Sequence, residues 1–113
     1  MVYFDKKYPP ATITFHLSTE TIPEDSTVYI TGNQQALAYW RPSVVAMKSF
    51  PDHHWETSIS VMKGTHLVYK FTLGSWETEA LNTDGSVLPN GALDVEKDSV
   101  ISIVIPQWKS IDN

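Results

Sequence analysis

Trp40, Lys70 and Trp76 have no evident job in the core of a small β-domain. Trp40 falls near the end of Gly-Asn-Gln-Gln-Ala-Leu-Ala-Tyr-Trp-Arg-Pro (32–42), a stretch rich in turn signals. Trp76 follows a Gly-Ser turn and is followed by Glu77. Lys70 lies between them in sequence, on the outward positions of an alternating run. An indole is a flat apolar plate with one polar edge, and exposing it carries a hydrophobic penalty. A lysine adds three strong donors. Plates beside a donor suit a ring with apolar C–H faces and a rim of hydroxyls, which is the chemistry of a sugar. Each residue has a plainer reading: most lysines are simply solvated, and a loop tryptophan can lid one end of a core. Leu37 is the better candidate for that lid.

The elements that must position these side chains are strands. Ala11–Leu17 sets Ile13, Phe15 and Leu17 on one face against Thr12, Thr14 and His16 on the other. Thr27–Thr31 is a β-branched run closed by Gly32-Asn33, and Ser43–Lys48 is a weaker apolar piece. Trp55, Thr57, Ile59 and Val61 alternate with polar residues, which places Trp55 inside. Lys63-Gly64 has the character of a hairpin turn. In 66–73, Leu67, Tyr69, Phe71 and Leu73 share one parity, leaving His66, Val68, Lys70 and Thr72 to face outward. Turns at Asn82–Ser86 and Pro89–Gly91 precede closing strands at Ala92–Val95 and Val100–Ile105. No segment of ten residues carries a helical stripe. Seven or eight short strands predict an all-β, antiparallel, immunoglobulin-like β-sandwich, with a closed barrel as the alternative. The domain is expected over 11–106. Residues 1–10 read as a lead-in and 107–113 as a tail or linker, with Trp108 in that tail.

Composition narrows the function. At 113 residues and 42% hydrophobic, the chain is one domain with enough apolar surface for a core. It has no cysteine, so disulfides, thiolate metal sites and cysteine nucleophiles are excluded. The net charge of −5, with eight basic residues scattered among thirteen acidic ones, argues against nucleic acid and against a membrane surface as partner. The N-terminal ten residues hold no apolar signal core, and no run approaches the length that spans a bilayer. The compartment stays open, with export favoured if the module serves a secreted hydrolase.

Catalysis finds little support. Glycoside hydrolysis needs two carboxylates at a set separation in a cleft, and Glu56, Glu77 and Glu79 have no deep cleft in so small a sandwich. Ser75 is not in a Gly-x-Ser-x-Gly elbow. Adjacent His53-His54 point to opposite sides of a strand, and Asn82–Gly85 lacks the acidic residue that closes a calcium loop. Nothing calls for a cofactor or a metal.

The order of these pieces resembles the starch-binding domains of carbohydrate-binding module family 20. The resemblance runs through Val-Tyr-Ile-Thr-Gly-Asn (28–33), Leu-Ala-Tyr-Trp (37–40), Met47, Trp55-Glu-Thr and Lys63-Gly64-Thr65. It continues with Tyr69-Lys70-Phe71, Gly74-Ser75-Trp76-Glu77 and Pro89-Asn90, and spans most of 11–105. It implies a non-catalytic module that stacks α-glucan on Trp40 and Trp76, with Lys70, Glu77 and Asn90 bonding sugar hydroxyls. It also implies a second aromatic site at Tyr29 and Phe50, weakened because Trp55 reads as core and Phe50 is displaced in its loop. The implied partners are an α-glucan and a fused catalytic domain. Three departures stand out: Ala38 replaces the family's usual glycine, Gly91 stands where arginine commonly follows the asparagine, and the segment from Glu77 to Pro89 is long. Similar Lys-Phe-Thr-x-Gly-Ser-Trp-Glu segments occur in modules fused to esterase-like and other bacterial hydrolases. The rival expectation is therefore an interaction or spacer domain, with Trp40, Trp76 and Trp108 packed on a neighbour.

Overall fold

The alternation of apolar and polar residues decides how the strands stack. The computed structural model describes residues 10–110. In β1 (Pro10–Ser18) Ala11, Ile13, Phe15 and Leu17 are wholly buried while Thr12 and His16 face solvent. β1 pairs antiparallel with β5 (His54–Met62) along its full length, from Pro10 opposite Met62 to Ser18 opposite His54. With β4 (Lys48–Phe50) and β9 (Ser99–Val104) they form one sheet, ordered β4-β5-β1-β9. A second sheet is ordered β3-β2-β6-β8, from Val45–Ala46 (β3), Tyr29–Gly32 (β2), His66–Thr72 (β6) and Gly91–Asp94 (β8). A two-stranded piece joins β7 (Ala80–Leu81) to β10 (Gln107–Trp108).

The two large sheets face each other across one core. Phe15 of the first meets Tyr69 of the second edge-on at 4.9 Å between ring centroids, and Tyr69 meets Phe71 at 5.8 Å. Such edge-to-face pairs add roughly 0.5–1.5 kcal/mol beyond their buried area. Ile30, Leu67, Ile59 and Val61 close the same cluster.

The all-β sandwich expected from the sequence is present, with ten strands rather than seven or eight. The additional strands are pieces of two residues that periodicity does not detect. One pairing departs from the antiparallel expectation: β1 and β9 run parallel, from Ile13 opposite Ser99 to Ser18 opposite Val104. They lie more than eighty residues apart in sequence, so no hairpin fixes their relative direction. The turn at Lys63-Gly64 forms, with Thr65 N–H donating to the Met62 carbonyl at 3.2 Å. It is not a hairpin, because β5 and β6 belong to opposite sheets. The apolar faces of both strands thereby point at each other across the core.

The tail expected at 107–113 begins too early. Trp108 is only 8% exposed, belongs to the core cluster, and donates from Nε1 to Thr19 Oγ1 at 2.9 Å. β10 pairs with β7, so the sandwich extends through at least Trp108. Pro106 lies between β9 and β10 and does not end the sandwich. The lead-in at 1–10 lies outside the described residues apart from Pro10, which opens β1. Trp55 has the inward parity expected and packs against the core, yet it is only half-buried, whereas Leu17 opposite it is wholly buried.

Candidate functional site

The outer face of the second sheet is where the sugar-type residues gather. Tyr29 stands opposite Thr72 and Thr31 opposite Lys70 in the β2–β6 register, so these four side chains share one face. Ile30 and Phe71 turn the other way, into the core. The register of β6 with β8 ends at Tyr69 opposite Gly91, with Asn90 the residue just before β8. Asn90 is exposed. A side chain at position 91 would collide with Tyr69: a Cβ there would lie 2.3 Å from the tyrosine ring. Gly91 is therefore fitted to this chain's own core.

Two loops bring the tryptophans to this face. The first is a 3-10 turn at Gln35–Trp40, seated on β2 by its buried Leu37, as expected of a lid. The seat requires Gly32, since a Cβ there would fall 2.2 Å from the Val68 carbonyl oxygen and 2.6 Å from Leu37 Cδ1. Thr31 Oγ1 donates to the Leu37 carbonyl at 3.2 Å. Ala38, Tyr39 and Trp40 then follow with φ of 59°, 47° and 69°. Three consecutive residues with side chains hold left-handed backbone, at roughly 1–2 kcal/mol each. Ala38 thus adopts the conformation for which glycine is the ordinary choice. The result is a tight knuckle that leaves Tyr39 62% exposed and Trp40 half-buried.

The second loop leaves β6 through Gly74, whose φ of 116° suits only glycine, and enters a one-turn 3-10 helix at Trp76–Thr78. Thr78 N–H donates to the Ser75 carbonyl at 3.0 Å, and Ser75 N–H to Thr78 Oγ1 at 3.3 Å. Trp76 is left 39% exposed, with Glu77 exposed beside it. Thr72, wholly buried, bonds to both loops. Its Oγ1 donates to the Pro42 carbonyl at 2.7 Å and accepts from Gly74 N–H at 3.1 Å.

Lys70 is less free than the sequence implied. Its Nζ donates to Glu79 Oε2 at 3.0 Å, and Lys109 Nζ donates to Glu79 Oε1 at 3.2 Å. The Lys70 and Glu79 side chains are 20% and 12% exposed. Burial alone would raise the Glu79 pKa, but the hydrogen bonds and charges of Lys70 and Lys109 outweigh it and hold the carboxyl below its ordinary value. One acceptor uses one of the three ammonium protons of Lys70, so two donors remain for a ligand. Lys70, Glu79, Tyr69, Phe71, Leu88 and Ile103 border a cavity of about 180 Å³. Its walls are mostly apolar, with Lys70 and Glu79 as the charged members.

The long segment after Glu77 folds as a small hairpin. Asn82 N–H donates to the Ser86 carbonyl at 2.8 Å, and Gln107 Nε2 pins the tip through the carbonyls of Asn82 at 2.7 Å and Thr83 at 3.1 Å. It is tied to β10 instead of hanging as a loose flap.

The structure sets Lys70 and Thr72 on one face of β6 and ties the Trp40 and Trp76 loops together through Thr72, with Glu77 exposed next to Trp76 in the chain and Asn90 exposed just before β8. It places Tyr29 and Phe50 on strands of different sheets. Tyr29 lies with the first group, its ring Cε2 3.5 Å from where a Gly74 side chain would begin. Phe50 sits on the edge strand of the other sheet with Lys48 Nζ 5.4 Å from its ring centroid. Sequence reasoning set Thr72 on the face of Lys70 but missed its bond to Pro42, thirty residues away, and missed the pairing of Glu79 with Lys70. Tyr39 could have been found from its place beside Trp40. Among the described residues no group of three or more His, Asp or Glu side chains is placed to hold a metal ion. No helix there is long and apolar enough to cross a membrane.

A family model described as starch binding domain matches residues 10–87. The chain belongs to the starch-binding domain family. The match includes Trp40, Lys70, Trp76 and Glu77 and ends before Asn90. Amylopullulanase of Thermoanaerobacter thermohydrosulfuricus is 23% identical over 106 residues, covering 90% of this chain and 7% of that protein. Glucoamylase of Hypocrea jecorina superposes with a TM-score of 0.61 at 23% identity, covering 90% of this chain and 18% of that one. The family 20 module of a maltotetraose-forming amylase from Pseudomonas saccharophila gives 0.57 at 18% identity, covering 84% of this chain and all of that one. The starch-binding fold is thus shared with a separately solved module as well as with parts of much longer enzymes. Residues 10–87 are a carbohydrate-binding module of this family.

Proposed function

We propose that the starch-binding module holds α-glucan on the outer face of its second sheet. Trp40 and Trp76 stack on the C–H faces of successive glucose units, and Lys70, Glu77 and Asn90 bond the hydroxyl rim. The observation that supports this reading is that Thr72, on the same face of β6 as Lys70, bonds to both tryptophan loops. Both indoles are partly open to solvent there. Each stacked ring contributes on the order of 0.5–1.5 kcal/mol beyond area, and each net hydrogen bond about 1 kcal/mol. After the cost of association the sum corresponds to micromolar-to-millimolar dissociation constants. That strength is adequate for a module that tethers a fused amylolytic domain to a polymer, where effective concentration supplies the rest. The relatives, of which this chain spans 7% and 18%, support such a fusion.

The rival spacer reading loses one of its three contact residues, since Trp108 is buried within its own chain. The test is tryptophan fluorescence during titration with maltoheptaose. A saturable change in wild type that disappears in Trp40→Ala and in Trp76→Ala supports the assignment. An unchanged spectrum at millimolar sugar counts against it.

A further inference from the structure

We propose that Thr72 is a positioning residue that sets the separation of the two tryptophan loops, and so the preference for glucans long enough to touch both. This inference rests on the glucan reading above. Its basis is one hydroxyl with two partners. Thr72 Oγ1 donates to the carbonyl of Pro42, two residues after Trp40, and accepts from the amide of Gly74, two residues before Trp76. At 2.7 and 3.1 Å both bonds are short enough to be directional. Thr72 is wholly buried, so water does not replace either bond if the hydroxyl is lost.

Nothing else joins these loops so directly among the described residues. The Trp40 loop also rests on Leu37 and on the Thr31 bond to the Leu37 carbonyl, and the Trp76 loop on the Ser75–Thr78 bonds. Those contacts fix each loop to its own base. Only the Thr72 hydroxyl bonds to both loops at once. A ligand that reaches both plates gains from their fixed separation, because its second contact is made at high effective concentration. A ligand that covers one plate gains nothing from it.

The test compares maltoheptaose with maltose by calorimetric titration of wild type, Thr72→Val and Thr72→Ser. Valine keeps the shape and removes both bonds, whereas serine keeps the hydroxyl. In Thr72→Val, maltoheptaose affinity falls about tenfold while maltose affinity stays within about twofold. Thr72→Ser retains the wild-type ratio. In a Trp40→Ala background, Thr72→Val causes no further loss, because only one plate remains to be placed. Equal weakening of both sugars, wild-type maltoheptaose affinity in Thr72→Val, or a full effect persisting without Trp40 overturns the role of Thr72 and leaves the glucan site standing. Failure of wild type to bind either sugar removes both. If Thr72→Val does not fold, hydrogen exchange at the wild-type Gly74 amide decides. It slows further with maltoheptaose and not with maltose if the hydroxyl couples the loops. The same response to both sugars refutes the coupling.

Discussion

Replacing Glu79 with glutamine isolates the ion-pair network that joins Lys70 and Lys109. Glu79 accepts from Lys70 and Lys109 while only 12% exposed, and Lys70 is 20% exposed. Exposed pairs contribute roughly 0–1 kcal/mol, and breaking fully buried ones costs about 3–5 kcal/mol. This network is partly buried, and Lys109 is 43% exposed and so rehydrates easily. Glu79→Gln should therefore cost about 1–3 kcal/mol at neutral pH. The sign with pH follows from the lowered Glu79 pKa. A carboxyl whose folded pKa lies below its unfolded value of 4.5 contributes its stability above that value. It loses the contribution as pH falls through the folded pKa. Urea denaturation of both proteins between pH 7 and pH 2.5 should show a constant gap above the unfolded value that narrows in more acidic buffer. There a protonated glutamic acid and a glutamine become near equivalents. A gap of undiminished size at the acid end would mean that Glu79 acts by shape and not by charge, and would refute the reasoning.

Other substitutions test the placement of individual residues. Trp108→Ala should destabilise by about 3–5 kcal/mol in urea denaturation, as expected for a core aromatic. A loss under 1 kcal/mol would restore residues 107–113 to the status of a linker. Ala38→Gly should raise stability by roughly 0.5–1 kcal/mol, because relief at a φ of 59° exceeds the entropy that glycine adds to the unfolded chain. A melting temperature lowered by this change would show that Ala38 is not strained.

Much of this architecture can be read from period-two patterning. The inward sets Ile13, Phe15, Leu17 and Leu67, Tyr69, Phe71 appear in sequence as they do in the core. The same parity puts Lys70 and Thr72 on the opposite face. What parity cannot tell is which strand neighbours which. The parallel β1–β9 pair, the crossing of Lys63-Gly64 between sheets and the return of Trp108 to the core arise from contacts tens of residues apart. The pairing of Lys70 with Glu79 is similar, since it depends on how the Trp76 turn delivers a carboxylate nine residues later. Trp55 shows the limit of parity in another way. Its direction was legible, but alternation alone does not say how completely an inward residue is covered, and Trp55 is only half-buried. Ala38 was visible as a departure, yet that alanine would keep a glycine's backbone conformation was not.

Residue-resolved NMR during titration with maltoheptaose tests the glucan site most directly. The account predicts perturbations centred on the indoles of Trp40 and Trp76, on Lys70 and on the Asn90 amide, with Val100 and Val104 on the far sheet unmoved. A footprint on that far sheet, or none at saturating sugar, would contradict it.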